Sequence, residues 1–190
     1  MKPTSLLLFV FVWATCSAAD PAPEPSPAAH VWRQSQKDDP ARTFTFTRFA
    51  LTGKFIASTQ GAAAGRPELV VDCIPGTELQ RSKGKFLSAN VQVGTPLKIV
   101  YVEPEEIHGT SYFPKVSIRF RTDGTSEVED QWSAGADKTS VSVPKEALKK
   151  ILRGHAVGLS LDDARGSRIA MQFDMADPAH VEESCNVDER

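Results

Sequence analysis

Several things are scarce in this chain, and each scarcity removes a class of function. Beyond Ala14 no apolar run approaches the roughly 20 residues that cross a bilayer, so no transmembrane anchor is expected in the body of the protein. Twenty-two basic against 24 acidic side chains leave a net charge of -2. A general polyanion binder carries a clear positive surplus, which argues against nucleic acid as a partner. The sequence holds no HExxH, no GxSxG, no phosphate loop and no dinucleotide fingerprint. Its four histidines, His30, His108, His155 and His180, are scattered. No catalytic residue, metal site or cofactor therefore follows from spacing. There is no repeat at propeller or solenoid period and no alternating β/α order, so neither a repeat array nor a doubly wound domain is expected.

What is present begins with an export pattern. Lys2 precedes the apolar stretch Leu6–Ala14, and Ser17 and Ala19 suit the -3 and -1 positions of a signal peptide over residues 1–19, cut before Asp20. Cys16 opens a second option, a lipidated cysteine, although Trp13-Ala14-Thr15 is a poor lipobox. Cleavage would deliver the protein to the periplasm or the extracellular space. Residues 20–40 read as a leader, because DPAPEPSPAA places four prolines in ten residues. Residues 41–190 are long enough for one domain.

Of the three cysteines, removal of Cys16 leaves Cys73 and Cys185, an even pair in an oxidising compartment. A disulfide between them is expected. Reduced thiols remain open, as does a zinc site, but no CxxC supports the latter.

The domain reads as short strands. Arg42–Thr47 alternates, with Phe44 and Phe46 on one face; Phe49–Ser58, Pro67–Ile74, Lys85–Val93 and Leu97–Val102 follow. In Lys115–Arg121, Val116, Ile118 and Phe120 should face the core and Arg119 and Arg121 the solvent. Thr122-Asp123-Gly124-Thr125 is a turn signal before a strand that reaches Trp132. His155–Leu161 and Arg168–Met175 complete the set, the second with the stripe Ile169, Met171, Phe173, Met175. One internal amphipathic helix starts at Pro144, with Ala147, Leu148, Ile151 and Leu152 on one side and Gly154 as its stop. Asp177-Pro178 resembles an N-cap with Pro at N1 of a short C-terminal helix. The predicted fold class is mainly β: an antiparallel β-sandwich or compact barrel.

Candidate chemistry is thin. Glu103–Gly109, with His108, reads as a solvated loop that offers a recognition surface before it offers a metal or proton-transfer site. Asp162-Asp163-Ala164-Arg165-Gly166 lacks the regular ligand spacing of a calcium loop and reads as a turn. The binding candidates are Lys115, Arg119 and Arg121, a basic ladder on one strand face, joined by Lys98 if those strands pair. Trp132 is a further candidate anchor, with the core as its alternative.

Gly65–Cys73, GRPELVVDC, resembles the RPxLxxxC region of small exported proteins associated with type VI secretion, the VasI-like group. Arg119–Gly124, Gln131-Trp132-Ser133 and the Phe173-to-Cys185 ending follow in a similar order, so the resemblance spans roughly Phe44 to Cys185. The segment Glu103–Pro114 and the helix from Pro144 depart from that pattern. The resemblance implies a periplasmic accessory domain with a terminal disulfide, and it carries no catalytic residues. The expected function is thus non-catalytic: binding of an envelope protein or surface polymer. A small periplasmic hydrolase centred on His108 or His155, or a structural envelope component, is the alternative.

Overall fold

Period-two alternation becomes strand after strand. A computed structural model of the protein describes residues 31–39, 44–58, 65–74, 85–101 and 114–187. The expected signal peptide, Cys16, His30 and the loop carrying His108 lie outside the described residues. The strands are β1 (Arg33–Asp39), β2 (Phe44–Thr52), β3 (Lys54–Ser58), β4 (Glu68–Ile74), β5 (Lys85–Gln92), β6 (Val100–Tyr101), β7 (Pro114–Thr122), β8 (Val128–Ala134), β9 (Ser140–Ser142), β10 (Ala156–Asp162) and β11 (Arg168–Asp174). Helix α1 (Lys145–Leu152) lies between β9 and β10, and α2 (Pro178–Cys185) follows β11.

The strands form one sheet in the order β1-β2-β4-β5-β9-β8-β7-β10-β11-β3. Every pairing is antiparallel, and β6 joins β7 along the part of its edge that β10 leaves open. The ladder does not close: β1 and β3 are its two ends. Yet β2 runs into β3 through Gly53 alone, so one continuous stretch of chain links the strand next to one end with the strand at the other and turns the sheet back on itself. The result is sandwich-like rather than a hydrogen-bonded barrel. Gly53 is required by space. A Cβ there would lie 2.7 Å from the Phe173 ring and 2.8 Å from the Gln172 carbonyl oxygen.

The inward faces supply the core. In β7, Val116, Ile118 and Phe120 are buried, and in β11 so are Ile169, Met171 and Phe173, as the alternation requires. Phe49, Leu51, Leu69, Val71 and Val91 line the opposite end. Burying each such side chain is worth roughly 1.5–3 kcal/mol. All four apolar positions of α1 are buried, and the Gly154 amide donates to the Ile151 carbonyl at 3.1 Å to end the helix. Cys73 on β4 is bonded to Cys185 on α2, Cα–Cα 5.2 Å, with both residues fully buried. Beside them Val181 and Val187 are buried as well.

Three local expectations need correction. Strand β1 lies within the stretch assigned to the leader, 20–40. It pairs with β2 over its whole length although RQSQKDD has no apolar pattern: backbone pairing holds it, helped by Arg33 bonds to Thr52 and Glu68 and by the Thr45 hydroxyl on Asp38. The segments 42–47 and 49–58 are not two strands split at Arg48; the break falls at Gly53. In β2 the inward residues are Thr47, Phe49 and Leu51, so Phe46 lies on the outer face, under the Arg48 guanidinium at 5.7 Å. Asp177 does not cap α2 with its side chain. Its backbone is left-handed, φ 50°, not the extended conformation a capping carboxylate needs.

Candidate functional site

The sheet presents two outer surfaces. On β2 and β4, Arg48 Nε and a terminal nitrogen donate to the two Asp72 carboxylate oxygens, each at 2.8 Å. Asp72 is buried, and its carboxylate raises the Arg48 pKa above the ordinary value. That surface is sealed by its own charges.

The other outer surface is formed by β8, β7, β10, β11 and β3. Alternation brings Lys115, Arg119 and Arg121 to it, all from β7. They do not form a basic ladder. Lys115 donates to the Ser133 hydroxyl at 3.1 Å, and Arg119 sits between Glu127 at 3.9 Å and Glu129 at 3.7 Å. Lys98 lies outside the strands and uses its backbone amide on Asp162. Farther along the same face Arg168 pairs with Asp162 at 2.7 Å and Lys54 with Asp174 at 3.1 Å. Among the described residues, Arg121 is the one cation of this face without a charged or hydrogen-bonding partner.

Trp132 is absent from this surface. It is 0% exposed, opposite Val116 on the inward side of β8, and it packs against Phe120 at 5.6 Å. Its indole N–H donates to Asp130 at 2.9 Å. A binding anchor must meet the partner, so Trp132 is a core residue.

Two depressions are lined by described residues of this face. One, of about 150 Å³, is lined by Ser117, Arg119, Glu129, Ser160, Asp162 and Arg168, and its charges are mutually paired. The larger, of about 230 Å³, is lined by Ile56, Arg121, Asp123, Ala156, Gly158 and Gln172. Its floor is low because β10 presents Ala156 and Gly158 outward. Arg121, opposite Gly158 in register, lies across it, with Nε only 3.2 Å from where a Cβ would stand. Ile56 is 55% exposed at the β3 side. The Gln172 amide nitrogen donates to Asp174, which leaves its carbonyl oxygen as an acceptor.

Asp123 fixes the edge of the depression. It occupies a left-handed turn with Gly124 (φ 47° and 73°), closed by the Thr125 amide on the Thr122 carbonyl at 2.8 Å. One carboxylate oxygen accepts the His155 amide at 2.7 Å and the Ala156 amide at 2.9 Å. The Ala156 bond most of all, then the His155 bond, holds this carboxyl below the usual range.

His155 and His180 line neither depression. His180 instead stands edge-on to Phe49 at 5.7 Å, near Gln34. No group of three or more His, Cys, Asp or Glu suited to a metal occurs among the described residues. Comparison with protein-family models, with curated proteins and with solved structures finds no match to this chain.

Ile56, Asp123, Gly158 and Gln172 were not candidates from sequence. The adjacent pair Phe55-Ile56 carried a signal, since neighbours on a strand cannot both face the core. A glycine at an outward position of an otherwise alternating strand, Gly158, was a second.

Proposed function

We propose that this protein is a non-catalytic, exported recognition domain that holds an acidic protein partner against the outer face of β7, β10, β11 and β3. The observation that carries the reading is Arg121. Neighbouring cations on this face have hydrogen-bond or ion-pair partners, whereas this guanidinium lies over a glycine at the rim of a depression with an exposed isoleucine opposite. Arginine beside an aliphatic contact is the chemistry of an interface anchor. A surface polymer of sugars fits less well, because no exposed aromatic platform accompanies the arginine among the described residues.

The disulfide supports a location outside the reducing cytoplasm, in line with the export pattern at the N-terminus. No helix among the described residues is long and apolar enough to cross a membrane. The resemblance to VasI-like proteins makes an envelope protein the natural partner class.

The test is affinity capture from the native envelope by the disulfide-bonded protein, by Arg121→Gln and by Arg119→Gln. The reading expects one saturable protein that Arg119→Gln retains and Arg121→Gln loses, with hydrogen exchange slowed at 156–158 when it is bound. Capture that Arg121→Gln leaves intact overturns it. A hydrolase screen is then the next step.

A further inference from the structure

Resting on that reading, the geometry points to the chemical class of group the depression receives: an extended peptide segment bearing a carboxylate side chain next to a small aliphatic one. Three features define it. Arg121 supplies one planar guanidinium, suited to a single carboxylate. The nearest acid in the depression, Asp123, has one oxygen committed to two backbone amides and adds a negative charge to the wall. That charge is tolerable beside a monoanion and unfavourable beside a phosphate dianion, for which a lone arginine is also too few donors. Across the floor, Ile56 offers apolar surface to a side chain of valine or alanine size. Between them the Gln172 carbonyl oxygen, oriented by the bond from its amide nitrogen to Asp174, is an acceptor for a peptide N–H. A sulfate or a phosphate has no N–H to give there and nothing to place on Ile56.

Gly158 is the positioning residue of this arrangement. Any side chain at 158 pushes against Arg121 at 3.2–3.4 Å and lifts its guanidinium from the floor. The arrangement therefore depends on a residue that itself offers the ligand no side chain.

The experiment is an NMR titration of the full, disulfide-bonded chain with Ac-Glu-Val-NH2, Ac-Gln-Val-NH2 and inorganic phosphate, which reads even weak binding. The expected result is saturable shifts at Arg121 Nε–H, the Gly158 amide and the Gln172 side-chain amide with the Glu peptide. The Gln peptide should bind at least ten-fold more weakly. Arg121→Gln should abolish the difference between the two peptides, and Gly158→Val should reduce Glu-peptide binding several-fold while the amide spectrum elsewhere stays folded. Equal shifts with Glu and Gln peptides, stronger shifts with phosphate, or no shifts in the depression would each overturn the assignment. Failure here with envelope capture still lost in Arg121→Gln rejects the ligand class alone. Capture insensitive to Arg121 rejects the recognition reading with it.

Discussion

Arg48 and Arg121 occupy equivalent settings, outward positions on interior strands of one sheet, and they do opposite work. Arg48 has Asp72 two-pronged beneath it and a phenylalanine ring below, so its charge is consumed in holding β2 to β4. Arg121 has a glycine beneath it and forms no ion pair among the described residues. The difference is set by the strand next door: Asp72 stands opposite Arg48, and Gly158 stands opposite Arg121. An arginine on a sheet becomes structural or available according to one cross-strand residue. The contrast extends to the two regions around them. The β2–β4 end is fastened by an ion pair and a disulfide; the β7–β10–β11–β3 end leaves a depression and a charge unspent.

The widest separation between the regions should come from Cys73→Ser/Cys185→Ser. Removing the tie between β4 and α2 is expected to cost about 4 kcal/mol, read as a lowered urea midpoint, because the bond closes a long loop. A loss of similar size in Arg121-dependent binding would show that the two ends are not independent. Next is the seam, Gly53→Ala. Its new methyl meets backbone as well as the Phe173 ring, so a loss of about 3 kcal/mol is expected, again by urea denaturation. Asp72→Ala should cost about 2 kcal/mol. It strands a buried-side hydrogen-bonding partner, but Arg48 retains some solvent, which softens the penalty. Arg121→Gln, in contrast, should shift stability by less than about 0.5 kcal/mol. Equal destabilisation by Asp72→Ala and Arg121→Gln would erase the comparison.

The smallest effect concerns pH. Asp123 titrates below its ordinary value of about 3.9, so its contribution to stability is present above that pH and is lost as pH falls through the lower folded value. Asp137, held down chiefly by the Thr139 amide and also by Ser140, acts in the same sense. Asp123→Asn keeps an acceptor for the two amides without the charge. Its melting temperature should therefore fall less steeply between pH 4 and pH 2, on the order of one titrating group's worth of slope. An unchanged slope would remove Asp123 from the account.

Much of the framework was legible because burial writes itself into period: Val116-Ile118-Phe120, Ile169-Met171-Phe173 and the four apolar positions of α1 all face inward as read. The pairing of Cys73 with Cys185 followed from counting. Strand β1 was hidden because a strand held by backbone bonds, with both faces polar, has no hydrophobic signature. The break at Gly53 was hidden because the clash that requires glycine comes from Phe173, far away in sequence. The candidate site was half legible. Alternation placed Arg119 and Arg121 on the surface, but which of them is neutralised depends on the β7–β8 register that sets Glu129 opposite Arg119. Trp132 was ambiguous because tryptophan serves cores and interfaces alike, and only its place opposite Val116 decides.

The junction at Gly53 also orders events in time. Strand β3 emerges early from the ribosome, yet among the described residues the one strand it pairs with is β11, Phe55 opposite Met171, and β11 is among the last segments made. Until that late strand arrives, β3 is an unmatched edge and the sheet cannot be completed. Such non-local pairing slows folding and leaves the nascent chain open. A domain wired in this way stays threadable until nearly all of it has been synthesised, a property that the proposed export route would use.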